Sequence, residues 1–210
     1  KVSSQFPSIK IVDGTKGIKL RELNEWEIEA DEHHDEEEDD HAAADIQALR
    51  VDKHTWLGKE NAKIMASHIY KSLVDLNPAQ QDFYTENYTL LIRSIDETFT
   101  VLHTQLDNLH GRSILVFHPS FGYFFDEFGI TQLSVETGGK EPSARVLADL
   151  IEKAKKEKIP AIFVQKQFSV NAAQKIATAT GAKVVALDPL SADWMNNLQS
   201  IGNALVEVYR

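Results

Sequence analysis

The longest regular feature of the chain is an apolar stripe, Tyr84, Tyr88, Leu91, Ile95, Phe99, Leu102, Leu106 and Leu109, which advances in steps of three and four over 25 residues. Seven turns of about 3.6 residues cover that distance, so the spacing predicts one amphipathic helix. Pro78 suits its first turn and Gly111 closes it, which gives a helix over about 78–110 and a rod on the order of 48 Å long at 1.5 Å per residue. Such a rod reaches across more than one small domain. A shorter period at Ile64, Met65, Ile69, Leu73 and Leu76 predicts a helix over 58–76 that stops before Asn77-Pro78.

Beyond Gly111 the pattern changes. Short apolar runs at Ser113–Phe117, Thr131–Val135, Ala161–Val164 and Lys183–Leu187 are each followed by a helical pattern, at 121–128, 143–156, 169–180 and 192–209. Alternating strands and helices, with strands of Val, Ile, Leu and Phe, argue for an α/β fold with a parallel sheet covered by helices on both faces. Residues 8–20, with Ile11-Val12, the turn Asp13-Gly14-Thr15 and Gly17-Ile18-Lys19-Leu20, read as remnants of sheet edges. Three parts follow: 1–57 with an acidic loop, 58–110 with the two helices, and 111–210 as an α/β lobe.

The net charge of −10 is concentrated in one place. From Arg21 to Asp45 there are thirteen acidic residues and one basic, so the rest of the chain carries +2. The centre of the segment, Asp31–His41, holds eight carboxylates and three histidines, His33, His34 and His41, and reads as a solvated loop. No basic face points to nucleic acid as a partner. No apolar run approaches the roughly 18–20 residues of a membrane-spanning helix. The chain has no cysteine, which excludes disulfides, thiolate metal sites and cysteine nucleophiles within it.

In open parallel sheets ligands bind beyond the carboxyl ends of the strands. The residues just past the four strands are His118, Glu136, Gln165 and Asp188, all on one rim. An imidazole and a carboxylate there, beside two more polar groups, make a donor set for a divalent metal. The alternative is that His118 and Asp188 cap the helices that follow, since each precedes a proline, Pro119 or Pro189. His54 lies in Asp52-Lys53-His54-Thr55-Trp56-Leu57, where Trp56 and Leu57 would hold the loop down and present the imidazole rigidly; a histidine facing solvent is the plainer reading. His68, His103 and His110 fall at helical positions and are read as structural.

Five ordered blocks carry a family resemblance: Asp52–Leu57, Asn61-Ala62-Lys63-Ile64-Met65-Ala66, His118-Pro119-Ser120-Phe121-Gly122-Tyr123-Phe124, Glu136 through Gly139-Lys140-Glu141-Pro142-Ser143, and Leu187-Asp188-Pro189-Leu190. Together they resemble the solute-binding proteins of bacterial zinc and manganese ABC transporters, from about residue 8 to the C-terminus. The resemblance implies two α/β lobes joined by the long helix, with a metal in the cleft between them. It implies three histidine ligands in zinc-type members, with His54 matching the second and His118 the third, and Asp188 at a carboxylate position that several members use. Glu136 and Gln165 would stand behind the ligands. Manganese-type relatives usually carry Glu where this chain has His118, so zinc is expected over manganese, in accord with the preference of zinc for imidazole and of manganese for oxygen.

The implied function is capture of a divalent metal by an exported subunit, in the periplasm or on the outer cell surface with or without a lipid anchor, and delivery to an ABC transporter permease. Alternatives within the family are a manganese-specific binder and a surface adhesin. Oligomeric state is left open, and no enzyme is implied: a zinc hydrolase would need a general base, and the chain has no HExxH, GxSxG or Walker-type motif. There are departures too. Lys53 stands where the family often has Pro, and Gln165 where many zinc-type members have Glu. The lobe with the first histidine is mostly missing, so the chain is expected to be a C-terminal portion. The loop around His33, His34 and His41 matches a charged loop of zinc-type members and would collect metal weakly, or serve only as a linker.

Overall fold

The computed structural model describes residues 2–27, 50–136, 142–168 and 170–210, with the side chains of 2, 3 and 170–172 left aside. His33, His34, His41 and the stretch 137–141 lie outside the described residues. The helical elements at the start are α1 (Val2–Gln5), α2 (Lys59–Leu76) and α3 (Gln81–Leu106), the last flanked by 3-10 turns at Pro78–Gln80 and Asp107–Leu109. The lobe that follows runs β1 (Ser113–Val116), α4 (Gly122–Glu127), β2 (Thr131–Ser134), α5 (Ala144–Lys156), β3 (Ala161–Gln165), α6 (Val170–Thr180), β4 (Lys183–Leu187) and α7 (Trp194–Tyr209).

All strand pairings are parallel, and the order across the sheet is β2-β1-β3-β4. Successive residues of a strand face opposite sides, and β1 shows it: Ile114 and Val116 enter one core, Leu115 and the following Phe117 the other. The first core holds Phe99, Leu102 and Leu106 of α3, Phe124 and Phe125 of α4, and Leu198, Ile201 and Leu205 of α7. The second holds Leu150 and Ala154 of α5 with Ala173, Ile176 and Ala177 of α6. Helices therefore cover both faces, as the strand composition requires. Ser143 caps α5 by accepting from the Val146 N–H, and Lys153, Lys155 and Lys156 sit in its last turn, where cations oppose the helix dipole.

The apolar stripe of α3 divides in two. Ile95, Phe99, Leu102 and Leu106 are buried, while Leu91 is exposed and Tyr84 and Tyr88 are half-buried. This upper half faces α2, whose Met65, Ile69 and Leu73 join it around an apolar groove of about 380 Å³. Tyr70 and Tyr88 stack across the helix pair at 4.7 Å between centroids. No helix among the described residues is long and apolar enough to cross a membrane.

The sheet-edge reading of residues 8–20 is corrected. They form turns and extended coil, with Ile9, Ile11, Val12 and Leu20 exposed, and among the described residues no strand pairs with them. Asp13 closes its turn by accepting from the backbone N–H and hydroxyl of Thr15, and a lone antiparallel bridge joins Glu22 to Val51. Strand-like residues need partner strands, and none among the described residues lies beside these. The first residues of the acidic segment also differ from a solvated loop. Glu27 is fully buried, Trp26 packs on the second core, and the Lys153 ammonium sits 4.7 Å over the Trp26 ring.

Candidate metal centre

Two βα connections on opposite sides of β1 create the switch point of this sheet, since β2 lies to one side and β3 to the other. Crevices at such points open at the carboxyl ends of the strands. His118 stands there, two residues past the end of β1. Gln165, the last residue of β3, holds its backbone: Oε1 accepts from the His118 N–H at 3.2 Å, and Nε2 donates to the His118 carbonyl at 2.5 Å and to Ser120 Oγ at 2.9 Å. Glu136, just past β2, accepts from His118 Nδ1–H at 2.5 Å. Phe168 stacks on the other side of the ring at 4.9 Å. The imidazole is thus fixed at both its backbone and its Nδ1, with Nε2 facing outward.

His54 approaches from a different part of the chain. Trp56 donates its indole N–H to the Pro189 carbonyl at 2.8 Å, Trp194 donates to the Trp56 carbonyl at 3.0 Å, and Leu57 is buried in the first core. The loop is held down as its aromatic and apolar residues predict. His54 Nδ1–H donates to Asp52 Oδ1 at 2.8 Å, so its Nε2 also faces outward. The two Nε2 atoms stand 3.2 Å apart, with the rings nearly perpendicular at 82° and both side chains 23% exposed.

Because a carboxylate has no proton to give, each Nδ1 carries the hydrogen and each Nε2 presents a lone pair. Two lone pairs aimed at each other at 3.2 Å repel unless a cation or a proton lies between them. Two nitrogens bound at 2.0–2.1 Å to one tetrahedral zinc stand about 3.3–3.4 Å apart. The observed separation matches that bite.

Asp188 does not join the pair. It follows β4, two strands from β1, and neighbouring strands lie about 4.8 Å apart. Its Oδ1 accepts from the Leu190 N–H at 3.0 Å and from Gln167 Nε2 at 3.3 Å, and Lys166 Nζ lies 3.6 Å from Oδ2. The Leu190 N–H, with Gln167 and Lys166, holds its carboxyl below the usual range. Among the described residues no third histidine or carboxylate completes a cluster around His54 and His118. Neither His118 nor Asp188 caps the helix that follows: α4 starts after Phe121, and α7 after Asp193.

The other described histidines serve packing. His68 donates to the Lys16 carbonyl at 2.8 Å, His103 pairs with Glu127 and lies edge-on to Phe128, and His110 packs on Gly129. Lys53 is exposed. Sequence reasoning missed Asp52, Phe168 and the buried ion pairs of Arg21. An Asp two residues before a histidine is a signal for a local side-chain turn, which is how Asp52 takes the His54 backbone N–H at 2.8 Å.

The family described as "Zinc-uptake complex component A periplasmic" matches residues 2–208. The chain belongs to that family. Family members are binding components of transporters, not enzymes. Within the zinc-uptake family, the chain is 26% identical to the high-affinity zinc uptake system protein ZnuA of Yersinia pestis over 207 residues, 98% of this chain and 64% of that protein. A crystal structure of ZnuA superposes with a TM-score of 0.84 at 29% identity, over 100% of this chain and 73% of that one. A ZnuA deletion mutant with zinc bound superposes with a TM-score of 0.81, also at 29% identity, over 99% of this chain and 72% of that one. The chain spans between 43% and 64% of the length of several family relatives that it matches.

Proposed function

We infer that this chain supplies two imidazole ligands, His54 and His118, to a divalent metal carried as cargo, with zinc favoured over manganese. The observation that carries the reading is the pair of Nε2 atoms 3.2 Å apart, each with its Nδ1 tied to a carboxylate. Neutral nitrogen donors suit zinc, and manganese would prefer oxygens at these positions. Zinc is four-coordinate, so two positions remain. Asp188 on the same rim is one candidate donor, reached by a swing of its loop. A group from the part of the relatives' length that this chain does not span is another. The metal-bearing protein would work outside the cytoplasm and hand its cargo to the permease of an ABC transporter; the names of its relatives, a periplasmic zinc-uptake component and a high-affinity zinc uptake protein, support the uptake part of this reading.

Glu136 and Gln165 support the metal through His118, one at the ring and one at the backbone. His33, His34 and His41 remain candidates for weak collection of metal. Ligation requires neutral imidazole, so acid weakens binding. Competitive zinc titration of His118→Ala tests the assignment. The expected loss is at least the roughly 10–100-fold that follows removal of a group supporting a ligand; unchanged affinity would overturn it.

A further inference from the structure

The Asp52 carboxylate is buried, at 1% exposure, yet makes hydrogen bonds through only one of its oxygens. Oδ1 accepts from both the backbone N–H and Nδ1–H of His54, each at 2.8 Å. Oδ2 has no hydrogen-bond partner and faces Arg21 Nη1 at 3.7 Å. A half-satisfied buried carboxylate is costly, and packing alone would be served as well by an apolar side chain. Its position therefore calls for a task that only an acceptor can perform.

The surroundings hold it in place. The Asp52 N–H donates to the Arg21 carbonyl at 2.8 Å, and Tyr123 Oη donates to the Asp52 carbonyl at 2.9 Å while accepting from the Arg21 N–H at 2.8 Å. The Arg21 guanidinium is nearly enclosed. Its Nη1 donates to both Glu27 oxygens, at 3.0 and 2.9 Å, and its Nε to Asp126 Oδ2 at 2.8 Å. Both Glu27 and Asp126 are thereby held around one cation, whose Nη1 also lies 3.7 Å from Asp52 Oδ2.

We propose that Asp52, clamped by Arg21, is the positioning residue of His54: it keeps the imidazole proton on Nδ1 and aims Nε2 at the metal. The proposal rests on the reading of His54 and His118 as metal ligands. Which ring nitrogen carries the proton is set by the hydrogen bond the other nitrogen makes or lacks. Without Asp52 the ring is free to rotate and to place its proton on Nε2, where it blocks coordination.

Nitrogen NMR of the metal-free, histidine-labelled chain at mildly alkaline pH reads the tautomer directly, with His54→Ala assigning the signals. The wild-type chain should show His54 protonated at Nδ1, and Asp52→Ala should move the proton toward Nε2. Zinc titration of Asp52→Ala should show a loss of about 10–100-fold, and Asp52→Asn, which keeps an acceptor oxygen at the same reach, should recover most of it. A wild-type His54 protonated at Nε2 overturns the proposal even if Asp52→Ala fails to fold. So does wild-type zinc affinity in a folded Asp52→Ala chain. Failure of the wild-type chain to bind zinc, whatever its tautomer, overturns the metal reading instead, which separates the two failures.

Discussion

His54 and His118 are separated by 64 positions in the chain and by 3.2 Å in space. Each is held by contacts of a different range. Asp52 acts on His54 across two residues, and that contact is legible as an Asp-x-His turn. Glu136 and Gln165 act on His118 across 18 and 47 residues, because the sheet sets β2 and β3 on either side of β1. Gly122 shows how closely the residues behind His54 are packed. A Cβ there would stand 2.5 Å from Asp52 Oδ2 and 2.6 Å from Arg21 Cζ. Gly122→Ala is therefore expected to destabilise the chain by about 1–3 kcal/mol, as overpacking does, and to weaken zinc binding although it alters no ligand. Urea denaturation and zinc titration of the same variant check both effects; wild-type values in each would show that the Arg21–Asp52 contact yields freely.

Among elements, those defined by periodicity appear close to where the sequence places them. The helix expected over 58–76 is α2, the four strands begin at the expected residues, and the stripe over 84–109 is α3 with its flanking turns. Residues 8–20 fail because a strand is stabilised by its neighbours, and alternation in one segment cannot supply them. The pairing of α2 with α3 depends on charge as well as on the aromatic stack. Asp96 receives Lys63 Nζ at 2.5 Å and Lys59 Nζ at 3.2 Å. The Lys63 hydrogen bond, helped by Lys59, holds the Asp96 carboxyl below its ordinary 3.8. As pH falls, the unfolded chain takes up this proton first, so the stabilisation is complete above 3.8 and is lost as pH falls through the lowered folded-state value. Asp96→Asn should lower the thermal midpoint slightly at neutral pH, and the difference should vanish in strong acid. Thermal melts of both chains across the acid range check it, and a difference independent of pH would assign the effect to packing.

On the scale of the whole molecule, both histidines belong to one body, because Trp56, Trp194 and Leu57 tie the His54 loop to the same core that supports β1. Metal bound to that body stabilises it by mass action. Zinc at about 100 times its dissociation constant adds about 2.7 kcal/mol, which for a chain of this size raises the melting temperature by roughly 5–10 °C. A chelator should reverse the rise and His118→Ala should abolish most of it, as read by thermal denaturation with and without zinc. A melting temperature indifferent to zinc would count against the site.

The sequence by itself determined the helices and strands from residue 58 onward, the shared rim of His118, Glu136, Gln165 and Asp188, and the anchoring of the loop that carries His54, because periodicity, strand ends and aromatic anchors are local properties. The tertiary structure alone decided which of those residues meet. Strand order is a long-range property: it places Glu136 and Gln165 on strands next to His118 and sets Asp188 one strand farther away. Burial is long-range as well. It turned Arg21, Glu27 and Asp52 from three charges near an acidic segment into the enclosed support of the His54 imidazole.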